Sequence, residues 1–226
     1  MSSSEFEFPP AALFSTIAVC PWREQSPRVD GSPADWSEEQ LMPPLGQLSG
    51  GEQFAALSLA WNDRGLYLAV EVPKPHGAQV VTNRENPGSG DAIELLIDTR
   101  GSRTGHRANQ FCYHLVILPT PPAEQGGKPV IWQRPIRRAL RRSPQIDLDA
   151  VRIASGFRDD GYCVEAAFEP DALHGYEPTP GLRIGMAAVI HDIHHGTQFW
   201  GASPDVPWKR DPSTWGIVEH ARPVTD

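Results

Sequence analysis

The chain has few cysteines and more acidic than basic residues. Its 226 residues include three cysteines, which are widely separated and match no metal-binding spacing. A disulfide framework is therefore not expected. The odd number favours a reducing compartment such as the cytoplasm, with secretion as the alternative. The formal net charge of −8 argues against a surface that binds nucleic acid as a whole, because phosphate neutralisation needs a basic field.

Long apolar runs and helical periodicity are also missing. The apolar stretch at residues 11–19 is too short to span a bilayer, and acidic residues precede it where a signal peptide needs positive charge. It is interpreted as a first strand, and no membrane partner is expected. No segment keeps a long apolar stripe of period 3.6, and 23 prolines and 20 glycines predict many turns. Nucleophile-elbow, phosphate-loop, dinucleotide and zinc-protease motifs are absent.

What the sequence does contain is period-two alternation bounded by turn residues, which is typical of half-buried strands. It predicts two hairpins, at residues 54–72 and 151–168, each with a glycine-ended turn. Further strands are predicted at Asp91–Asp98, Gln110–Leu118, Leu182–Ile190 and Trp215–Glu219. Eight or more strands predict one all-β domain over residues 1–226, an antiparallel β-sandwich or open barrel with long loops.

A Pro- and Arg-rich insertion, residues 119–144, interrupts the strands. Arg137, Arg138, Arg141 and Arg142 would share one side of a helix, which would suit phosphate binding. The acidic total favours instead a solvated, charged edge strand or loop, because charge on an edge prevents pairing with another chain.

Strand parity places a group of polar side chains on one face of the predicted sheet. Glu94 has the opposite parity from its apolar neighbours. Gln110, Cys112 and His114 share its face if the aromatic residues of their strand are core, and His191 continues the pattern in the late strand. Small residues between them leave room for a ligand near the backbone. An ordinary solvated polar face is the alternative.

A loop at residues 199–215 carries tryptophans at fixed places among prolines and aspartates. Aromatic rings beside hydrogen-bonding groups suit the apolar face and hydroxyl rim of a sugar. Trp208, with Arg210 nearby, is the candidate for stacking on a ligand, and burial in the core is the alternative for this residue. Trp200 and Trp215 are expected to close the core beneath the loop.

The carboxylates also suggest a metal site or a catalytic pair. Asp98, Asp192 and Asp211 are calcium candidates, because calcium takes carboxylate oxygens from irregular loops, although the sequence has no EF-hand-like loop. Glu94 and Asp91 are candidates for the carboxylate pair of a glycoside hydrolase. The segment IHDIHHG matches no established spacing of transition-metal ligands.

Six segments occur in an order that is typical of one family. They are VDGSPADW, LAWNDRGLYLAVEV, GDAIELLIDTRG, DGYCVEAAF, LRIGMAAVIHD and WKRDPSTWG, and they run through nearly the whole chain. In these segments the chain resembles the family 9 carbohydrate-binding modules, DOMON-like β-sandwiches found attached to xylanases and in many uncharacterised bacterial proteins. The resemblance implies a non-catalytic module that binds a mono- or oligosaccharide on its concave sheet, and association with a carbohydrate-active enzyme.

Within that resemblance, Trp208 matches one of two stacking tryptophans and Glu94 matches a sugar-binding glutamate. Four features depart from the family pattern. The loop Asn86–Gly90 has no second tryptophan, and Cys112 stands where an arginine is expected. The asparagine expected shortly before Trp208 has no clear counterpart in residues 204–207, and the acidic cluster implied for calcium is thinned ahead of Gln110. The resemblance therefore implies the fold more strongly than the ligand.

Three functions are carried forward. The first is carbohydrate binding through Trp208, Glu94, Gln110 and His114, and the second is hydrolysis by the carboxylate pair. The third is binding of haem or another small ligand, as in DOMON relatives that use Met and His. Met186 is predicted to point into the core, which disfavours haem ligation.

Overall fold

The computed structural model describes residues 17–44, 53–103, 105–120 and 128–222, which form two packed β-sheets. The strands in these residues are β1 Ile17–Pro21, β2 Ala56–Asn62, β3 Gly65–Pro73, β4 Ala92–Asp98, β5 Cys112–Leu118, β6 Val130–Gln133, β7 Val151–Arg158, β8 Gly161–Phe168, β9 Arg183–Asp192, β10 Gly196–Trp200 and β11 Gly216–Ala221. The helical elements in the same ranges are 3₁₀ turns of three residues, and none is long and apolar enough to cross a membrane.

The larger sheet has the strand order β1-β11-β9-β4-β5-β6, and the smaller sheet has the order β2-β3-β8-β7. β10 pairs with the second half of β9 and β11 with its first half, so the loop between them leaves and rejoins the same edge of β9. Neighbouring strands are antiparallel except β1 and β11, which run parallel. The predicted all-β sandwich is therefore confirmed.

Both predicted hairpins are present and have tight turns. The β2–β3 register pairs Asn62 with Gly65, and the β7–β8 register pairs Arg158 with Gly161, so each turn has two residues between the paired positions. Both glycines have positive φ, 147° and 154°, and a Cβ at either position would collide with a backbone carbonyl of the adjacent strand. Glycine is required there because it has no Cβ.

Some strand boundaries differ from the predictions. β6, which lies within the insertion 119–144, is the edge strand of the larger sheet, while residues 121–127 lie outside the described part of the chain. β10 includes Phe199 and Trp200, which the sequence assigned to a loop. β1 begins at Ile17, and residues 11–16 of the predicted first strand also lie outside the described residues.

The main core lies between the two sheets. Alternate apolar residues of β4 and β5, such as Leu95 and Leu115, meet residues of the smaller sheet there. Met186 is fully buried in this core, as predicted. Trp200 belongs to it as well, and Trp215 is fully buried beneath the loop on the other face of the larger sheet. The three cysteines are free and buried.

Lys74, Asp91 and Asp192 form a buried ionic triad. It joins the smaller sheet to the start of β4 and the end of β9 in the larger sheet. Lys74 follows β3, and its Nζ lies 2.9 Å from Asp91 Oδ1 and 2.8 Å from Asp192 Oδ2. Asp91, which precedes β4, also accepts the backbone N–H groups of Val81 and Ile193. Burial alone would raise the pKa of Asp192, but hydrogen bonds and the charge of Lys74 lower it to about 2. The triad therefore fixes the start of β4 and the end of β9.

Lys74→Met is expected to destabilise the protein by about 3–5 kcal/mol, because two buried carboxylates lose their counter-charge. Urea unfolding monitored by circular dichroism measures the change. The matched control is Lys128→Met, since Lys128 is exposed and its loss is expected to change stability by less than about 0.5 kcal/mol. Equal stability of the two variants would contradict the role given to the triad.

β11 carries a buried histidine. The ring of His220 stacks on Trp61 with centroids 4.5 Å apart, and the ring edge contact with Tyr176 has a centroid distance of 5.8 Å. Burial lowers the pKa of His220 from 6.5 to about 4. The unfolded chain therefore binds more protons than the folded chain between these two values. The contribution of His220 to stability is complete above pH 6.5 and is lost as the pH falls towards 4.

His220→Phe, which keeps an aromatic ring against Trp61, is expected to flatten the pH dependence of the unfolding free energy between pH 6.5 and 4. One proton accounts for a slope of up to about 1.4 kcal/mol per pH unit. Urea unfolding at a series of pH values measures it, with the exposed His76→Gln as the control that keeps the slope. An unchanged slope in His220→Phe would refute the assignment.

Candidate functional site

The outer face of the larger sheet, which points away from the smaller sheet, is covered by loops over much of its area. A second apolar cluster lies there, composed of Leu96, Ala108, Cys112, Ala187, Val189, Trp208 and Trp215. Ile136 and Ala139 from the Arg-rich insertion and Phe199 from β10 pack against it. The structure thus corrects the expectation of an open polar face, and the site is confined to what these loops leave uncovered.

Glu94 in β4 is a buried carboxylate on this face that has three basic partners. Its Oε2 lies 2.6 Å from His114 Nε2, and its Oε1 lies 3.0 Å from His191 Nε2 and 3.5 Å from Lys209 Nζ. β4 lies between β5 and β9, so the two histidines approach Glu94 from strands on opposite sides. The structure therefore brings together three residues that strand parity assigned to one face.

The electrostatics of this cluster make Glu94 an acceptor. Burial alone would raise its pKa, but the hydrogen bonds from His114 and His191, together with the charge of Lys209, hold the pKa well below its usual range. His191 is oriented from its other side by a 3.1 Å contact between its Nδ1 and Thr197 Oγ1. A carboxylate that stays ionised at neutral pH suits acceptance of hydrogen bonds and not proton donation.

Trp208 lies next to this cluster and is largely buried. Phe199 packs edge-on against its ring at a centroid distance of 5.5 Å, and Lys209 Nζ lies 4.7 Å from the ring centroid. The Lys209 side chain is 57% exposed. Trp208 was predicted from the sequence to stack on a ligand. In the structure, the exposed side chain of Lys209 lies over its indole ring. Removal of this lysine from the ring would uncover an aromatic surface beside Glu94.

A pocket of about 470 Å³ is bounded by His114 and Lys209, which both contact Glu94. Its lining residues are His114, Arg134, Pro135, Arg137, Arg138, Lys209 and Arg210. The backbone N–H of Arg134 donates to the carbonyl of His114 at 2.7 Å, which attaches the chain after β6 to β5. The Arg-rich insertion was predicted from the sequence to be a solvated edge strand or loop. Part of it therefore has a different position, because it lines this pocket.

Two of the predicted ligand-binding residues lie away from Glu94. Cys112 is opposite Asp98, whereas Glu94 is opposite Val116, so Cys112 lies four residues, or about 13 Å, along β5. Gln110 precedes that strand and is further away. Cys112 is buried in the outer cluster, where burial raises its pKa to about 12. Neither side chain is adjacent to the cluster around Glu94.

The three calcium candidates do not converge. Asp98 lies opposite Gly185, and Asp192 is seven residues, or about 23 Å, further along β9. Asp192 is paired with Lys74, and Asp211 caps the 3₁₀ turn that follows it. In the described part of the chain, no group of three or more His, Cys, Asp or Glu side chains is arranged to hold a metal ion.

The structure does not favour a catalytic pair formed by Glu94 and Asp91. Asp91 is fully buried, and both of its carboxylate oxygens accept hydrogen bonds within the triad and its neighbouring loops. The lowered pKa of Glu94 does not suit a general acid, which must carry a proton near neutral pH. The two carboxylates therefore have structural and acceptor roles.

Sequence reasoning missed three residues of this region, Lys74, Lys209 and Arg134. Lys74 follows an apolar strand, and the sequence alone does not show that it is buried. Its role is recognised only when its carboxylate partners, Asp91 and Asp192, are known. Lys209 follows Trp208 directly, and this adjacency was the available signal for a cation over the ring. Arg134 had no local signal, because its position depends on the pairing of β5 with β6.

The fold and the site together define a β-sandwich binding module. The chain belongs to the family described as Carbohydrate family 9 binding domain-like, whose sequence model matches residues 36–221. No curated protein sequence matches the chain.

Two solved structures of family 9 modules from Caldicellulosiruptor kristjanssonii share the fold. The first, in complex with cellotriose, is 17% identical with a TM-score of 0.63, and the match covers 92% of this chain and 95% of that chain. The second, in complex with glucose, is 15% identical with a TM-score of 0.62, and the match covers 93% and 98%. The family resemblance drawn from the sequence is thereby confirmed.

Lys209→Ala is expected to make Trp208 more accessible, because the exposed lysine no longer covers its ring. Oxidation by N-bromosuccinimide, localised by peptide mass spectrometry, measures this, and the peptide that contains Trp208 is expected to react several times faster. Lys128→Ala, a change at an exposed lysine outside the cluster, provides the control. If Trp208 reacts equally in both variants, the lysine does not shield the ring.

Proposed function

We propose that this chain is a non-catalytic carbohydrate-binding module whose sugar site is the pocket beside Glu94. Its membership in the family and the sugars present in the two related structures support this assignment. The observation that carries the proposal is the buried, ionised Glu94 at the edge of a pocket, next to an indole over which one exposed lysine lies.

The cluster offers the two kinds of surface that a sugar needs. The C–H groups of a pyranose stack on the Trp208 ring after Lys209 has moved away from it. The same movement removes one partner from Glu94 Oε1, which then accepts a hydrogen bond from a sugar hydroxyl. His114 and His191 hold the carboxylate in place throughout.

In this arrangement the ring that Lys209 covers beside Glu94 is Trp208. The loop Asn86–Gly90, which has no aromatic residue, lies against His191, since a Cβ at Gly88 would be 3.5 Å from His191 Cε1. Stacking on Trp208 alone would give weak affinity for one sugar unit. The proposal therefore includes association with a carbohydrate-active enzyme, which would raise the local concentration of the polysaccharide.

Isothermal titration calorimetry with glucose, xylose, cello-oligosaccharides and xylo-oligosaccharides tests the proposal. We expect weak, saturable binding by the unaltered protein. Glu94→Gln is expected to weaken it about tenfold to a hundredfold, the effect of losing a hydrogen bond to a charged acceptor.

The matched control is Glu71→Gln on the smaller sheet, which is expected to keep the affinity. Thermal unfolding of each variant confirms that it is folded before the titration. If no neutral or acidic saccharide binds to the unaltered protein, the proposed function is wrong.

A further inference from the structure

The pocket beside Glu94 is strongly basic, although the protein as a whole is acidic. Four arginines and one lysine line it in a chain with a formal net charge of −8. Lys209 is balanced by Glu94, with which it makes a 3.5 Å ion pair. The excess positive charge therefore comes from the arginines, namely Arg134, Arg137, Arg138 and Arg210.

These four arginines have no acidic partner within the residues that the structure describes. The ion pairs formed there by other arginines, such as Arg28 with Asp35 and Arg183 with Glu219, lie elsewhere. Among the described residues, no carboxylate oxygen lies within 4.0 Å of a guanidinium nitrogen of the four. Like charges that share a concave surface repel one another, and an anion relieves this repulsion.

The turn that carries three of these arginines is attached to the sheet at several points. Its backbone is bonded at Arg134 to His114, at Arg138 to the Nε of Arg107, and at Leu140 to Ala108, over distances of 2.7–2.8 Å. Arg138 is the one described non-glycine residue with a positive φ, 60°. The turn is thus held in a defined conformation.

The side chains of this turn are divided between the two surfaces. Ile136 and Ala139 face the apolar cluster on the sheet, while Arg134, Arg137 and Arg138 line the pocket. If the turn were a freely solvated edge, its apolar and basic side chains would not need to face different surfaces. The arrangement presents guanidinium groups to whatever occupies the pocket.

A second pocket of about 570 Å³ extends the basic surface. Arg138 and Arg210 line both pockets, and Arg107 and His106 line the second one. Its acidic residue, Asp211, lies 3.3 Å from His106 and accepts the N–H group of the 3₁₀ turn that it caps. The positive surface therefore continues beyond the volume that one sugar ring fills.

We propose that the ligand of this site is an acidic saccharide, whose anionic group binds to the arginines while a sugar ring occupies the surface beside Trp208 and Glu94. The inference rests on the proposed function. A guanidinium group matches the oxygens of a carboxylate or a phosphate with two parallel hydrogen bonds, so uronic acids and sugar phosphates share the required chemistry.

Calorimetric titration at low ionic strength compares four kinds of probe. They are oligogalacturonates and oligoglucuronates, glucose 6-phosphate, neutral cello-oligosaccharides of the same length, and inorganic phosphate. An acidic saccharide is expected to bind at least about tenfold more tightly than its neutral counterpart, as one charged hydrogen bond predicts. The preference is expected to decrease when the salt is raised from about 0.02 M to about 0.2 M.

The double variant Arg134→Gln, Arg137→Gln is expected to lose the preference for the acidic saccharide over its neutral counterpart. Arg64→Gln and Arg152→Gln together, on the smaller sheet, change the net charge equally and are expected to keep the preference. Thermal unfolding shows that the double variant is folded.

Each contrary outcome has a distinct meaning. Equal affinity for acidic and neutral saccharides overturns this inference and leaves the proposed function standing. Phosphate binding as tight as that of glucose 6-phosphate shows a simple anion site and also overturns it. Absence of binding to every saccharide refutes the proposed function itself.

Discussion

The burial of both faces of the larger sheet is the constraint that shapes this molecule. The smaller sheet covers one face, and the loop after β10 and the turn after β6 cover much of the other. A carboxylate in such a sheet requires hydrogen-bonding partners, because an isolated buried charge is strongly destabilising. Glu94 obtains them from His114, His191 and Lys209. The proposed site therefore lies where a covering loop brings Lys209 to a carboxylate on a strand that the core has already fixed.

The Lys74 triad and the Glu94 cluster are buried ionic groups of the larger sheet, and they differ in how their charges are satisfied. The Lys74 triad lies between the sheets and the connecting loops, and its charges are satisfied by the protein alone. The Glu94 cluster differs because one member, Lys209, is more than half exposed. The first group holds the ends of β4 and β9, and those strands position Glu94 and His191 for the second.

Local sequence patterns predicted the strands and the parity of the site well. Alternation identified both hairpins, and it placed Glu94, His114 and His191 on one face, where the structure brings them into contact. These features depend on neighbouring residues and on a period of two, which a sequence displays directly. The same parity placed Gln110 and Cys112 on that face without showing that register separates them from Glu94.

The loops that cover the outer face of the larger sheet could not be predicted from alternation along the sequence. Trp208 and Ile136 are 72 residues apart in sequence, and each packs on the outer cluster through tertiary contacts that leave no periodic signal. The expectation of an open groove failed for this reason. The arginines of the insertion were recognised as a charged group, but the pairing of β6 with β5 decides that they line a pocket.

The position of Lys209 connects the proposed function with the charge of the pocket. A neutral sugar that stacks on Trp208 must displace this lysine from both the ring and Glu94, and the ammonium group then loses two partners. An acidic saccharide supplies a new partner for the displaced ammonium within the same pocket, which Lys209 also lines. The anionic group would therefore favour the rearrangement that exposes the stacking surface. In the proposed binding mode, ring recognition and charge recognition are coupled through Lys209, so an acidic ligand would gain affinity both from the arginines and from the release of Trp208.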